Sequence, residues 1–365
     1  MSAKAQVEQL AALAGVTING PALTDPQIND DRAYAAIASG DSLRIGEAYM
    51  DTWWDCADLA GLYRIVLDAK LHEQLNFFRN PGLLLRGMMT NMQSRSRAFA
   101  VGRQHYDLGN DLYESMLDRR MVYTSAIWDG VETLEAAQEQ KLDRICKQLG
   151  LKAGDRVLDI GCGWGSFMKF AAEKYGARCV GLTVSKEQTA LGESLCANLP
   201  VSFVIVDYRD YTTPEPFDHI VSIEMLEAVG PKNFKTYFNK VYELLKPTGR
   251  FHLQTIAGID AHPPADPWLQ TYIFPNGILP SLHQLEQAWR YQFIIEDLKN
   301  IGPDYEWTLL EWWRRFDRAY PKLQANNPFY DERFYRMWKY YLQSCAALFR
   351  SRQTQDWQMT FTKLV

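Results

Sequence analysis

Val157-Leu158-Asp159-Ile160-Gly161-Cys162-Gly163-Trp164-Gly165 decides the fold of this 365-residue chain. An apolar run carrying one acid enters a turn with glycine at every second position, and a helical pattern follows. That order puts backbone N–H groups and a helix start at the end of a buried strand, where a ligand can approach closely. The spacing G-x-G-x-G departs from the dinucleotide pattern G-x-G-x-x-G, and the loop has no lysine for phosphates. Nicotinamide dinucleotides and nucleoside triphosphates are therefore disfavoured. Asp159 either organises the turn or meets the ammonium group of an amino-acid-like cofactor. S-adenosylmethionine has that ammonium group, a ribose and an adenine, and carries no phosphate. The bland alternative is a tight strand-to-helix turn with no ligand.

Outward from this turn, strand-like runs cover Arg156–Ile160, Arg178–Leu182, Phe203–Val206, His219–Ile223 and Arg250–Ile256. Helical stretches near Phe167–Lys174, Lys186–Ala197 and Asn233–Leu245 separate them, which predicts βαβ crossovers and a parallel sheet. Upstream, Leu142, Ile145 and Leu149 share one face of a helix over Leu134–Leu149, closed by Gly150 where left-handed backbone is wanted. Lys246-Pro247-Thr248-Gly249 reads as a turn. After the second strand, where a ribose-binding acid is usual, Thr183 and Gln188 offer hydrogen bonds instead. Residues 1 to about 100 look helical. The last hundred residues hold aromatic-rich helices (about Trp307–Tyr320 and Phe329–Arg350) and a strand near Trp357–Thr362. The expected division is a helical domain over 1–104 and a catalytic domain over 105–365.

Composition sets bounds on function. Hydrophobic residues make up 47% and charged residues 23%, which allows an ordinary core and excludes a disordered chain. The formal charge of −5 argues against a nucleic-acid binder. Gln74 to Tyr106 contains Arg79, Arg86, Arg95, Arg97 and Arg103 with no lysine or acid, a +5 segment on a −10 remainder. No signal peptide is visible after Met1, and the longest uncharged stretch, Pro267 to Leu285, is broken by Pro275, Gly277 and Pro280. A cytoplasmic protein is expected. The six cysteines form no C-x-x-C pair, so they read as buried thiols with no zinc or other metal site.

With these residues in hand, the chain resembles the cyclopropane-fatty-acyl-phospholipid synthases and the related mycolic acid cyclopropane synthases. The similarity runs nearly the whole length. It is carried by Gly46-Glu47-Ala48-Tyr49-Met50-Asp51-Thr52-Trp53-Trp54-Asp55-Cys56, by His105-Tyr106-Asp107-Leu108-Gly109-Asn110-Asp111-Leu112-Tyr113, and by the glycine turn with Gly181-Leu182-Thr183-Val184-Ser185. Val229-Gly230-Pro231-Lys232-Asn233-Phe234, Asp266-Pro267-Trp268 and Tyr272-Ile273-Phe274-Pro275-Asn276-Gly277 follow in order. The resemblance implies a class I S-adenosylmethionine-dependent methyltransferase, an α/β Rossmann-like fold with a mostly parallel seven-stranded sheet and a small N-terminal helical domain. It implies methyl transfer to a cis double bond of an unsaturated phospholipid acyl chain. The alkene attacks the sulfonium methyl, a carbocation forms, and loss of a proton closes a cyclopropane ring. Cofactor contacts carry over to Tyr123, Thr124, Gly161, Gly163, Thr183, Gln188, Asp207 and Tyr208, beside Asp159. A homodimer is implied as well.

The same resemblance gives the final proton to a bound bicarbonate, held by a cysteine, a glutamate, a histidine, a tyrosine and backbone amides. Here Glu227 and Tyr305 keep two of those side chains, and Ile256 stands beside them on a strand. The cysteine position is Ser125, the histidine position is Gln254, and a glycine three residues before Glu227 is Glu224. Serine for cysteine is mild, because the backbone amide does the work there. Gln254 can hydrogen-bond an anion but cannot accept a proton near neutral pH. If Glu224 faces the pocket, it repels bicarbonate, keeps one of two carboxylates protonated, or takes the proton itself; otherwise it points to solvent. The expected product is thus a cyclopropane fatty acid made with altered proton removal, or a methyl- or methylene-branched chain.

Other readings compete. An O- or N-methyltransferase of a soluble small molecule needs a base or a desolvated site, with His105 and His252 as weak candidates. A lipid-binding relic without catalysis is disfavoured by the whole glycine turn. The pairs Trp312-Trp313 and Tyr340-Tyr341 suit an acyl tunnel, or simply a core. Phe77 to Met89 mixes arginines with bulky apolar groups, as a peripheral contact with anionic lipid at the inner face of the membrane would, or as a basic linker would.

Overall fold

The computed structural model describes residues 1–71, 109–259 and 266–364. Seven strands form one sheet: β1 (Arg156–Ile160), β2 (Arg178–Thr183), β3 (Val201–Ile205), β4 (Phe217–Ile223), β5 (Leu245–Gly258), β6 (Phe293–Asn300) and β7 (Thr354–Lys363). Their order across the sheet is β3-β2-β1-β4-β5-β7-β6. The first five pair in parallel, whereas β6 and β7 pair antiparallel.

The interleaved helices are α1 (Leu134–Leu149), α2 (Ser166–Tyr175), α3 (Lys186–Leu195) and α4 (Phe234–Leu244). Side chains alternate across a strand, so the two faces of β1 feed two different cores. Val157 packs with Leu142, Ile145 and Leu149 of α1 and with Phe167 and Met168 of α2. Leu158 and Ile160 belong to the opposite cluster, with Phe234, Phe238 and Val241 of α4 and with Phe251 and Leu253 of β5. Helix α1 has the expected bounds. The Thr133 side chain accepts from the Ala136 amide at its start, and Gly150 closes it with φ 70°.

Three local expectations are corrected. Lys246-Pro247-Thr248-Gly249 is not a free turn; it lies within β5 as a bulge between the pairs Phe217–Leu245 and His219–Arg250. Strand β6 was not anticipated, because its outward face exposes Ile294 and Leu298 and shows no clean alternation. The helix Leu282–Trp289 was also missed, although Ser281 and Gln284 form a reciprocal capping box at its start.

By contacts the chain forms two units, and neither is one continuous stretch. One comprises Met1–Thr90, Pro263–Pro275 and Glu306–Thr354; the other holds the sheet. The first unit is helical. The Glu332–Arg350 helix packs there on Ser42–Met50 and Leu59–Asp68. Its buried Arg336 donates to the carbonyls of Tyr49 (2.6 Å) and Trp54 (2.9 Å) and to Asp55 (2.8 Å). Gly46 lies against Trp268, whose ring a Cβ would meet at 2.3 Å. The Gly46–Cys56 segment is therefore a packing motif. Trp312, Tyr340 and Tyr341 are buried core residues of this unit.

Two glycines of the turn after β1 differ in what surrounds them. Gly165 has φ 81°, and a Cβ there would meet the Phe203 ring at 2.6 Å; Gly163 has φ 52° and nothing within 4 Å. Gly163→Ala should cost about 1 kcal/mol from left-handed backbone alone. Gly165→Ala should cost roughly 1–3 kcal/mol more through overpacking. Denaturant unfolding of both variants checks this, and equal losses would show that Phe203 does not restrain the turn.

Candidate active site

The cofactor-side residues gather around the carboxyl ends of β1, β2 and β3, where ligands bind in open parallel sheets. Asp159 is buried on β1, paired with Gly181 and Val221, and burial pushes its carboxyl up to about 7. A carboxyl so short of partners suits an incoming ammonium group, which would restore its charge. Gly161 has φ 86°, and a Cβ there would strike Met225 at 2.4 Å. Thr183 and Gln188 are buried and bonded to each other, the threonine hydroxyl donating to Gln188 Oε1 at 3.1 Å. Tyr123 packs edge-on against Tyr113, and Tyr208 edge-on against Tyr237. Asp207 is buried and clamped by Arg209 through two hydrogen bonds of 2.7 and 2.5 Å. These residues fit an amino-acid-bearing nucleoside such as S-adenosylmethionine.

Beyond β4 the catalytic candidates converge. Glu224 follows the last residue of β4, and its amide donates to the Gln254 carbonyl at 2.8 Å. Its φ is 49°, a left-handed conformation that costs a residue with a Cβ roughly 1–2 kcal/mol. The side chain is half-buried and hydrogen-bonded to Gln254 and Tyr305, so the solvent-facing alternative does not hold. Glu224 Oε1 accepts from the Ser125 amide (2.8 Å) and from Gln254 Nε2 (2.8 Å), and Oε2 accepts from the Tyr305 hydroxyl (2.6 Å). Thus three groups expected to hold an external anion are directed at a side chain of the same unit.

Glu227 lies in the short helical turn Leu226–Ala228. Its Oε1 accepts from the Thr255 hydroxyl (2.8 Å) and the Ile256 amide (2.5 Å), while Oε2 is buried with no hydrogen bond. Burial, then the neighbouring Glu224, pushes the Glu227 carboxyl up to about 8.

Four further residues escaped the sequence reading. Asp356 of β7 accepts from Gln254 Nε2 at 3.0 Å, so one amide bridges Asp356 and Glu224. Gln358 Nε2 donates to Gln254 Oε1 at 3.0 Å, and Arg144 Nε donates to Gln358 Oε1 at 3.0 Å. This chain of donors turns the Gln254 NH2 toward the two carboxylates. Lys141 is fully buried, donates to Thr124 Oγ1 at 2.6 Å, and is pulled down to about 8 by burial against the raising pull of Glu224 and Asp356. The available signal was a period of two. Thr354, Asp356, Gln358 and Thr360 put polar groups on the inward face of one strand, as Gln138 and Lys141 do on the inward face of α1.

His252 is no base. It is buried beside Thr360, 2.9 Å from its hydroxyl, and burial pushes it down to about 3. His105 and the arginine-rich Gln74–Tyr106 segment lie outside the described residues. Among the described residues no cluster of His, Cys, Asp and Glu could hold a metal, and no helix is long and apolar enough to cross a membrane.

Comparison with known proteins fits this geometry. Residues 93–359 match the family model described as mycolic acid cyclopropane synthetase. The chain is 44% identical over 356 residues to the cyclopropane-fatty-acyl-phospholipid synthase of Escherichia coli K12, covering 97% of this chain and 92% of that one. The cyclopropane synthase MmaA2 of Mycobacterium tuberculosis superposes with a TM-score of 0.66 at 30% identity, over 72% of this chain and 97% of that one. The mycolic acid cyclopropane synthase CmaA1, crystallised with SAH and CTAB, gives 0.65 at 31%, over 73% and 98%.

A raised carboxyl has a sign in pH. Glu227 moves from 4.5 to about 8, so its contribution to stability is complete below pH 4.5 and is lost as pH rises toward 8. Glu227→Gln keeps an oxygen for both donors and cannot ionise. Its stability should exceed that of the unaltered protein increasingly from pH 5 to 8, reaching on the order of a few kcal/mol. Urea unfolding across that window tests it, and a gap that does not widen would show that Glu227 ionises freely.

Proposed function

The chain belongs to the mycolic acid cyclopropane synthetase family and is an S-adenosylmethionine-dependent methyltransferase, and from that premise we propose that it methylates a cis double bond in an unsaturated phospholipid acyl chain to give a cyclopropane fatty acid. The observation that carries this reading is the pair of juxtaposed sites, a glycine turn with Asp159 on one side and the Glu224–Glu227–Tyr305 cluster on the other. When bound, S-adenosylmethionine supplies an electrophilic methyl group.

Asp159, Gly161, Gly163, Tyr123, Thr124, Thr183, Gln188, Asp207 and Tyr208 hold the cofactor in this proposal. The Arg209 clamp leaves Asp207 a carboxylate already paired, so its part is to shape the wall of the cofactor site. An alkene carbon is no acid, so attack on the methyl group needs no base. The base is needed afterwards, for the proton on the carbocation. Ser125, Gln254, Tyr305, Ile256 and Glu227 surround the place where that proton leaves. A buried setting shields the cation from water, which would otherwise trap it as an alcohol.

We assign the bilayer as the source of substrate and the Arg79–Arg103 segment as the peripheral contact with anionic lipid at the cytoplasmic face; a homodimer is part of the same reading. Burial pushes His252 far below the ordinary histidine range, which weighs against it as the base of an O- or N-methyltransferase. Mass analysis of phospholipids from cells expressing the protein should show acyl chains enlarged by one methylene unit. NMR of the isolated fatty acids should show ring protons. A methyl or methylene branch would replace the ring product, and unaltered lipids would refute the lipid reading altogether.

A further inference from the structure

We infer that the Glu224 carboxylate is a built-in replacement for the external bicarbonate anion and is itself the base that removes the proton. The inference rests on the lipid-methylation reading.

Occupancy is the first ground. The Ser125 amide, the Gln254 side-chain amide and the Tyr305 hydroxyl are three donors that the family resemblance gives to bicarbonate. Here they converge on the two oxygens of Glu224 at 2.8, 2.8 and 2.6 Å. A carboxylate and a bicarbonate present the same planar pair of oxygens. With the donors already committed and a negative charge in place, bicarbonate does not fit.

Backbone conformation is the second. The φ of 49° at Glu224 favours glycine, yet glutamate stands there. Strained conformations held by a non-glycine residue concentrate at functional sites. The carboxylate returns what the backbone gives up.

Charge allocation is the third. Glu224, Asp356 and Glu227 share one cluster, in which Asp356 is buried and the two glutamates are half-buried, and Lys141 is the cation acting on Glu224 and Asp356. Glu224 receives three donors, which favour its ionised form. Asp356 receives the Gln254 amide on Oδ2, and burial, then the neighbouring Glu224 to which its side chain is hydrogen-bonded, pushes its carboxyl well above the usual range. With three donors on Glu224 against one on Asp356, the geometry favours the negative charge on Glu224. Burial also raises Glu224 itself above the ordinary carboxylate range, against the pull of Tyr305 and Lys141, which makes it a stronger base.

The step balances. The alkene electron pair forms the bond to the methyl carbon, and the carbon–sulfur pair leaves with sulfur. A C–H bond of the transferred methyl then breaks, its electrons close the ring on the cationic carbon, and the proton goes to Glu224.

Two variants test this. Glu224→Gln keeps size and removes the base, and its turnover should fall by roughly 100-fold or more while S-adenosylmethionine binding by calorimetry is retained. Glu224→Gly suits the left-handed backbone and vacates the anion position; its low turnover should recover with added bicarbonate or formate. A separate readout needs no lipid. The 13C resonance of labelled bicarbonate should broaden with Glu224→Gly and stay sharp with the unaltered protein. Broadening by the unaltered protein, a Glu224→Gln enzyme within a few-fold of full turnover, or no recovery of Glu224→Gly with either anion would overturn the inference. If no form methylates lipid, the functional reading fails and the bicarbonate titration still decides whether Glu224 holds the anion position.

Discussion

A carboxylate taken out of water must either find donors or keep its proton, and this site is organised around that choice. Glu224 finds three donors. Asp356 shares one of them, and Glu227 has its own pair in Thr255 and Ile256. The carboxyls of Asp356 and Glu227 are pushed up, and Glu224 takes the most donors, so in the proposed reaction Glu224 is the one that carries the charge. In the proposed reaction this arrangement would supply one ionised base where a carbocation needs one. Without it, the same residues would be three mutually repelling charges in a protein interior.

The sheet makes the sharing possible. Strand β4 ends at Ile223, and the next residue turns into left-handed backbone that folds the Glu224 side chain back toward β5. Gln254 of β5 and Asp356 and Gln358 of β7 sit on adjacent strands, so their side chains meet on one face. Arg144 of α1 locks the outer end of this row. The antiparallel insertion of β7 between β5 and β6 thus supplies two residues of the site from the last few residues of the chain. On the other side of β1 lie the glycine turn and Asp159, which hold the cofactor in the proposed reaction. The two proposed sites thus sit on different strands of one sheet.

Much of this was legible in the sequence, and the limits are physical. Apolar strands with a glycine turn at Gly161–Gly165 announced the parallel sheet and its ligand edge, because periodicity and turn chemistry are local. The substitutions at Ser125, Glu224 and Gln254 were visible as departures, but whether Glu224 faced inward was not. Left-handed backbone at a glutamate has no propensity signature. Asp356 and Lys141 were missed because their meaning is non-local: an acid on a terminal strand and a lysine on a helix look solvated until the fold buries both. Strand β6 was hidden by its exposed apolar face, and the proline in Lys246–Gly249 read as a turn although it sits in a bulge. The candidate cofactor residues of the glycine turn lie close in the chain and were legible as a group, whereas the Glu224 cluster is assembled from segments far apart in the sequence.

The central claim is that the proton acceptor belongs to the chain. Its most direct test is turnover of the unaltered enzyme on unsaturated phospholipid vesicles with S-adenosylmethionine, in buffer freed of carbon dioxide and bicarbonate and then supplemented stepwise with bicarbonate. The account predicts full turnover in the stripped buffer and no response to the additions. Loss of turnover on stripping, restored in proportion to added bicarbonate, would contradict it.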